Sequence, residues 1–529
     1  MFTNFIQQPL PPGSRTGAAG VAGQAGALGM GEQAANGLST FYSFWCYVTP
    51  LFGAYIADAH WGRYKTICVS VGIAMLGHIL MIISAVPGVI QGKAAIGLFS
   101  LSLVIMGIGT GGFKSNISPL IAEQYKRSKI FVSTTKSGER VIVDPSLTTA
   151  SLYMWFYLFI NVGALIGQIS MSYAEKVIFF SLSHLSSLID LNSQFVGFWL
   201  SYTLPTIVFA LCPLVLWFGK TRYVTSPPTG SVLASALRLW RYAARGRWSL
   251  NPIEMIRLMT AQDFWENAKP SKQVGESKPS WMTFDDVWVD EVRRGFKACT
   301  VFLWYPLYWL PYSQMTSNLV SQAAVMTTNG IPNDVLANLD PFALIIFIPI
   351  CDLFLYPALR RAGINFSALK KITAGFLIGS AAMVWAAVVQ VYIYRTSPCG
   401  NTASFCANAD GTRIVSPLNL WIQTGAYVLI AFSEILASIT GLEYAFTKAP
   451  KNMRSLVMSV FLFTSAIASA LGEAFVPIAV DPYLVWNYGT MAVIAGVGGL
   501  LFWIAIRKID SEEDILNNLP TGHLGTEKE

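Results

Sequence analysis

Charge is scarce in this sequence. Only 12% of its 529 residues are charged, about half the share usual in soluble domains. Histidine is rarer still, with 4 in the chain, and no Cys/His group has metal-ligand spacing. Also missing are a nucleophile beside a general base and a phosphate-cradling glycine loop, so an enzyme is not indicated and no cofactor is expected. No basic segment leading into an apolar core and a cleavage site marks a signal peptide. What fills the chain instead is apolar surface, 53% hydrophobic residues with a mean hydropathy of +0.49. A bilayer uses such a composition, because a spanning helix takes roughly 20 apolar residues and must satisfy its own backbone hydrogen bonds. The reading is an all-α, polytopic membrane protein.

Apolar stretches recur at 38–58, 66–88, 96–118, 151–173, 194–219, 296–322, 341–359, 370–394, 417–446, 454–479 and 484–507, which makes eleven complete spans. Met1-Phe2-Thr3-Asn4-Phe5-Ile6 reads as the tail of a further helix whose beginning is missing. The longest polar interval, 220–295, divides the chain into an N-terminal bundle (1–219), a linker (220–295), a C-terminal bundle (296–509) and a tail (510–529). Residues 11–37, rich in Gly, Ala and Pro, read as an external loop. Within the linker, Val232 to Trp248 is basic and amphipathic, suited either to the membrane face or to a solvated helix.

Lys and Arg alternate between loops. One set holds Arg63 and Lys65; Lys126, Arg127, Lys129, Lys136 and Arg140; thirteen in 220–297; Arg360, Arg361, Lys370 and Lys371; and Lys448, Lys451 and Arg454. The opposite set holds Arg15, Lys93, Lys176, Arg395 and Arg413. The positive-inside rule makes the first set cytoplasmic, together with the C-terminal tail. The net charge of +7 then reflects topology and gives no reason to expect nucleic acid as a partner. Cys46, Cys68, Cys212, Cys299 and Cys351 fall in or beside apolar spans, where Cys acts as a small hydrophobe. Cys399 and Cys406 fall in a loop on the outer side, where a disulfide has room to form.

Two halves of near-equal helix count suggest parallel repeats. An acid followed by basic residues closes the second span (Gly53, Asp58, Gly62, Arg63, Lys65) and recurs at Asp352, Arg360 and Arg361. Charges there can hold neighbouring helices in one conformation and release them in another. The other reading is a set of snorkelling, positive-inside arginines.

A charge inside an apolar span costs from ~2.5 kcal/mol upward. Lys114 follows Gly107, Gly109, Gly111 and Gly112, whose small size lets a helix or a ligand come close. Glu434 sits mid-span, and Glu443 follows nearer the helix end. One cation in the first half and one anion in the second suit a zwitterion, its carboxylate on Lys114 and its ammonium on Glu434. Against this, Lys114 could snorkel, and Glu443 could pair with a basic residue at the helix end. Polar and aromatic side chains at Tyr157 and Asn161, and at Trp309, Tyr312, Ser313, Gln314, Ser317 and Asn318, suit a mixed cavity or bonding across helices.

At these residues the chain resembles the proton-coupled oligopeptide transporter family of the major facilitator superfamily, with two six-helix bundles. The resemblance runs from Met1 to about Arg507. It is carried by FGAYIADAHWGRYKTI (52–67), GIGTGGFKSNISPLIAEQY (107–125), FYLFINVGALIGQ (156–168) and SEILASITGLEYAFTKAPKNMRS (433–455). FWCYVTP (44–50) and YWLPYSQM (308–315) are most similar to fungal members.

The resemblance implies a plasma-membrane symporter, monomeric, importing di- and tripeptides with protons by alternating access. Lys114 would bind peptide and couple protons, with Glu434 and Glu443 as further proton-coupling acids. Asn161 would contact the peptide backbone, and Glu434 its amino terminus. Tyr157, Trp309 and Gln314 would line the same cavity. Three departures bear on this. The family's E-x-x-E-R motif on the first helix is expected just before Met1 and is not in this chain. Ser313 stands where animal and bacterial members carry an acid, and Thr40 where animal members carry a His. Related alternatives are carriage of another small anion or modified peptide, or a transport-deficient receptor-like form.

Overall fold

The computed structural model of the chain describes residues 2–11, 13–18, 25–125, 131–134, 138–176, 197–225, 232–249, 251–259, 261, 263–273, 279, 281–315, 318–327, 333–406, 414–449 and 454–517. Lys126, Arg127, Lys129, Lys136, Lys278, Ser317, Arg413, Lys451 and the tail from 518 lie outside the described residues.

The chain is mostly helical. In the first half come α1 (Phe2–Gln7), α2 (Gly31–Ile56), α3 (Arg63–Ala85), α4 (Ala94–Glu123), α5 (Pro145–Lys176), α6 (Phe198–Phe209) and α7 (Leu211–Gly219). A small antiparallel pair, β1 (Phe131–Thr134) and β2 (Arg140–Val143), separates α4 from α5. The linker forms α8 (Val232–Ala243), α9 (Pro252–Met259) and α10 (Asp263–Glu266). In the second half come α11 (Asp286–Phe302), α12 (Tyr305–Ser313), α13 (Asn318–Ala324), α14 (Leu339–Ile350), α15 (Tyr356–Arg361), α16 (Ala368–Thr396), α17 (Thr424–Glu434), α18 (Thr440–Thr447), α19 (Arg454–Gly472) and α20 (Leu484–Asn517). Strands β3 (Met326–Thr327) and β4 (Ser416–Asn419) pair in parallel outside the helices.

Among the described residues, nine helices are long and apolar enough to cross a membrane. The two other apolar stretches are helical as well but differ in kind. The stretch 38–58, mostly in helix α2, is rich in Ser, Thr and Tyr, and α2 packs between α4 and α19. The stretch 296–322 is broken into α11, α12 and α13. Pro306 in the first turn of α12 lacks the N–H that a continuous helix would need, so the chain bends at Leu303–Trp304. Helix α11 begins at Asp286, where the Asp285 side chain accepts from the Trp288 N–H at 2.8 Å, so this helix runs through the linker boundary at 295.

The α2–α4 crossing is made by glycine. A Cβ placed on Gly53 would stand 2.5 Å from the Gly112 Cα, and one on Gly109 would stand 2.5 Å from the Ala74 backbone nitrogen. The glycine run of α4 therefore serves close backbone packing on α2 and α3. Gly53→Val is expected to destabilise the protein by about 1–3 kcal/mol through overpacking. Gly72→Val, at a position with nothing within 4 Å, should leave thermal unfolding in detergent unchanged. Equal melting temperatures for the two variants would contradict this packing.

The halves meet where α2 and α4 pack on α19, and where α5 packs on α14 and α18. One end of that seam is closed by a charged lattice. Arg63 is buried and binds Glu123, and it lies 3.5 Å from Asp58. Arg454 of the second half stands beside Glu123, Arg63 and Tyr153, 4.1 Å from the Phe446 ring. The Ser151 hydroxyl donates to Asp352 Oδ2 at 2.7 Å, crossing from α5. Asp58 and Asp352 each lie in a five-residue π-helical turn, Ala57–Trp61 and Cys351–Leu355, so the repeated acid also shares a backbone form.

The apolar face of α8 is covered by protein. Ala236, Leu239, Ala243 and Ala244 are buried with Phe264, Phe284, Trp288 and Val292. The face that could have suited a membrane surface is thus spent on a core continuous with that of the helical bundle. Cys399 and Cys406 are joined by a disulfide, with Cα atoms 5.7 Å apart.

Candidate functional site

Glu434 ends α17, where the helix passes into a third π-helical turn, Ile435–Ile439. Such turns locally widen the helix and occur at functional positions. The Glu434 side chain lies at the seam between the halves and is 2% exposed. Tyr157 of α5 donates its hydroxyl hydrogen to Glu434 Oε1, and Tyr312 of α12 donates to the same oxygen at 3.2 Å. The Tyr157 hydroxyl also lies 3.4 Å from Ser438 Oγ. Glu434 Oε2 is buried and has no hydrogen-bond partner.

Beside it stands a second acid. Asp340, in the first turn of α14, is 3% exposed and its carboxyl faces that of Glu434. Its Oδ1 is also buried without a partner. Tyr308 of α12 adds a third phenol near both acids. The grouping is therefore two carboxyls and three phenols with no basic side chain paired to either acid among the described residues. A buried acceptor left unmade costs about 1–3 kcal/mol, more when charged, so two such oxygens side by side favour a cation with several N–H donors.

Lys114 lies across the seam on α4. Its Nζ sits 4.5 Å from the centre of the Tyr47 ring on α2, with Cys46 also near. No carboxylate lies within ion-pair distance of it among the described residues, and it does not touch Glu434. The expected pair of opposite charges is thus held in opposite halves and unjoined, leaving both ends available to a third molecule.

The other expected residues are placed as follows. Asn161 is buried one turn beyond Tyr157 and donates to the Tyr157 carbonyl oxygen at 2.9 Å. The Trp309 indole N–H donates to Thr464 Oγ1 at 3.0 Å, and its ring packs on Tyr308 and Tyr312. Gln314 is buried, and its Oε1 accepts from Asn318 at 2.6 Å and Asn487 at 2.8 Å, which ties α12 to α13 and α20. Glu443 stands near Tyr153 and Tyr356, on the charged-lattice side of the site. The structure brings Tyr157 to Glu434 and leaves Gln314 and Glu443 in separate groupings.

Sequence reasoning missed Asp340 and did not rank Tyr308 or Tyr312. Asp340 directly precedes the apolar run at 341 and so counted as loop. The helix starts at Leu339, before Pro341, and draws the acid into the bundle. An Asp-Pro step at a helix start is a recognisable signal, since Pro fits the first turn and an acid suits its positive end.

Residues 64–493 match the sequence profile of the POT family. The chain belongs to the POT family. Its similarity to named members runs along nearly the whole length. It is 43% identical over 498 residues to the probable peptide transporter ptr2 of Schizosaccharomyces pombe, covering 93% of this chain and 74% of that protein. It is 40% identical over 495 residues to peptide transporter PTR2 of Saccharomyces cerevisiae, covering 93% and 74%. The fold is that of the POT family transporter PepTSo, with a TM-score of 0.61 at 20% identity over 90% of each chain. This POT member is accordingly a multi-pass membrane transporter and not an enzyme, similar above all to fungal relatives.

Proposed function

We propose that this POT member is a proton-coupled symporter that imports di- and tripeptides by alternating access. The observation that carries the reading is Glu434, a buried mid-membrane acid at the seam with no basic partner among the described residues, while Lys114 in the other half has no carboxylate within ion-pair distance among them. A short peptide in its zwitterionic form has an ammonium for the first and a carboxylate for the second. The fungal relatives named as peptide transporters support that substrate class.

Recognition rests on the termini, so side chains vary freely. Tyr157, Asn161 and Trp309 are assigned to the path between the charged ends, with Gln314 bracing α12 beside it, and protons act through Lys114 and Glu434, with Glu443 on the side of the charged lattice. The lattice of Arg63, Glu123, Arg454, Asp352 and Ser151 holds the halves shut at one end and must part when that end opens. The positive-inside pattern makes that end cytoplasmic, with the linker and the C-terminus, and the plasma membrane is the site of import. The working unit is the monomer.

Counterflow of labelled dialanine in proteoliposomes tests the substrate class. Unlabelled di- and tripeptides should compete, while free alanine and N-acetyl-dialanine should not. Binding without counterflow would mean a receptor-like protein, and competition by blocked peptides would remove terminal recognition.

A further inference from the structure

Asp340 has no part in the reading above, yet it is as deeply buried as Glu434 and faces it. Among the described residues, the groups that meet the two acids are phenols and a hydroxyl. Tyr157 comes from α5, Tyr308 and Tyr312 from α12, and Ser438 from the π-helical turn after α17. None carries positive charge. Two adjacent carboxylates in such a place cannot both be ionised, because each raises the cost of charging the other and phenol donors do not neutralise them. One ionised acid accepting from Tyr157 and Tyr312 is sustainable, and those donors serve Glu434. The proton therefore belongs with Asp340.

We propose that Asp340 is the proton-carrying partner of Glu434, so that the pair takes one proton and one peptide ammonium together. This rests on the assignment of Glu434 to the peptide amino terminus. Charge then balances. The open, hydrated pair carries two negative charges, and it closes as a neutral site once Asp340 has bound a proton and Glu434 an ammonium. The two carboxyls stand within hydrogen-bond reach of each other, so the proton is held between them while the ammonium meets Glu434. A site holding the ammonium alone would retain one uncompensated buried charge, which disfavours closure without the proton. Opening to water on the other side releases both.

The decisive variant is Asp340→Asn, a neutral, near-isosteric stand-in for the protonated acid. In proteoliposomes carrying the full chain, dialanine counterflow should be reduced but measurable, since exchange needs no net proton movement. Accumulation driven by an imposed pH gradient should fall at least tenfold, to the level reached without a gradient. Asp340→Glu, which keeps a titratable acid, should retain gradient-driven accumulation. Full accumulation by Asp340→Asn would overturn the assignment. So would loss of counterflow in both variants, which would make Asp340 a structural residue. Failure of the parent protein to perform counterflow would instead overturn the peptide-transport reading beneath it.

Discussion

Replacing Glu434 with Gln is expected to weaken binding of dialanine by about 100-fold or more while leaving N-acetyl-dialanine within about twofold. Glutamine keeps the shape of the side chain and can still accept from Tyr157 and Tyr312. It removes the negative charge and turns an N–H donor toward the place an ammonium would occupy. Losing one partner of a buried charge pair costs about 3–5 kcal/mol, which is a factor of roughly 150 to several thousand. The neighbouring Asp340 tempers that loss, because it can give up its proton and meet the ammonium itself. The comparison of free with acetylated peptide separates recognition from general damage. Equal loss for both ligands would remove Glu434 from amino-terminal binding.

The second large effect belongs to Lys114. Lys114→Ala is expected to abolish accumulation of peptide under a pH gradient. The side chain is held over Tyr47 at 4.5 Å, a cation–π contact worth about 0.5–2 kcal/mol. That contact does not fully offset the cost of a charge in an apolar span, put at ~2.5 kcal/mol or above. A substrate carboxylate supplies the remainder, and it does so only when bound. In the variant, dialanine and its carboxyl-amidated form should bind with similar affinity, whereas the parent protein should prefer the free acid. Unchanged accumulation in Lys114→Ala would end its assignment to coupling.

The fold was legible in the sequence because its driving term is composition. Long apolar runs mark spans whatever their neighbours are, and Lys114 and Glu434 stood out as charges inside such runs. The same method passed over Asp340, one residue outside a run whose helix begins earlier than its hydropathy does. Tyr308 went unnamed, and Tyr312 was named for the cavity without its acid partner, for a different reason. Aromatic residues are common packing elements in spans, and nothing local says that two phenols on α12 face an acid on α17. The break at Leu303–Trp304 was signalled by Pro306, but continuous hydropathy across 296–322 masked it. For α8 the periodicity gave the apolar face, and what covers it came from distant residues such as Phe264 and Trp288. Local pattern carries direction and not partner.

The π-helical turns at Ala57–Trp61, Cys351–Leu355 and Ile435–Ile439 had no sequence signal of their own. Two hold Asp58 and Asp352 of the charged lattice, and the third follows Glu434 directly. Each places a locally widened helix beside a contact between the halves, where alternating access requires contacts to form and break.

The central claim is that proton and peptide move together through this seam. Its most direct test is uptake of labelled dialanine into proteoliposomes of the full chain, under inward, absent and outward pH gradients at zero membrane potential. The account predicts accumulation above equilibrium with the inward gradient, equilibration without one, and net efflux from preloaded vesicles when it is reversed. Equilibration at the same level under all three gradients would contradict it.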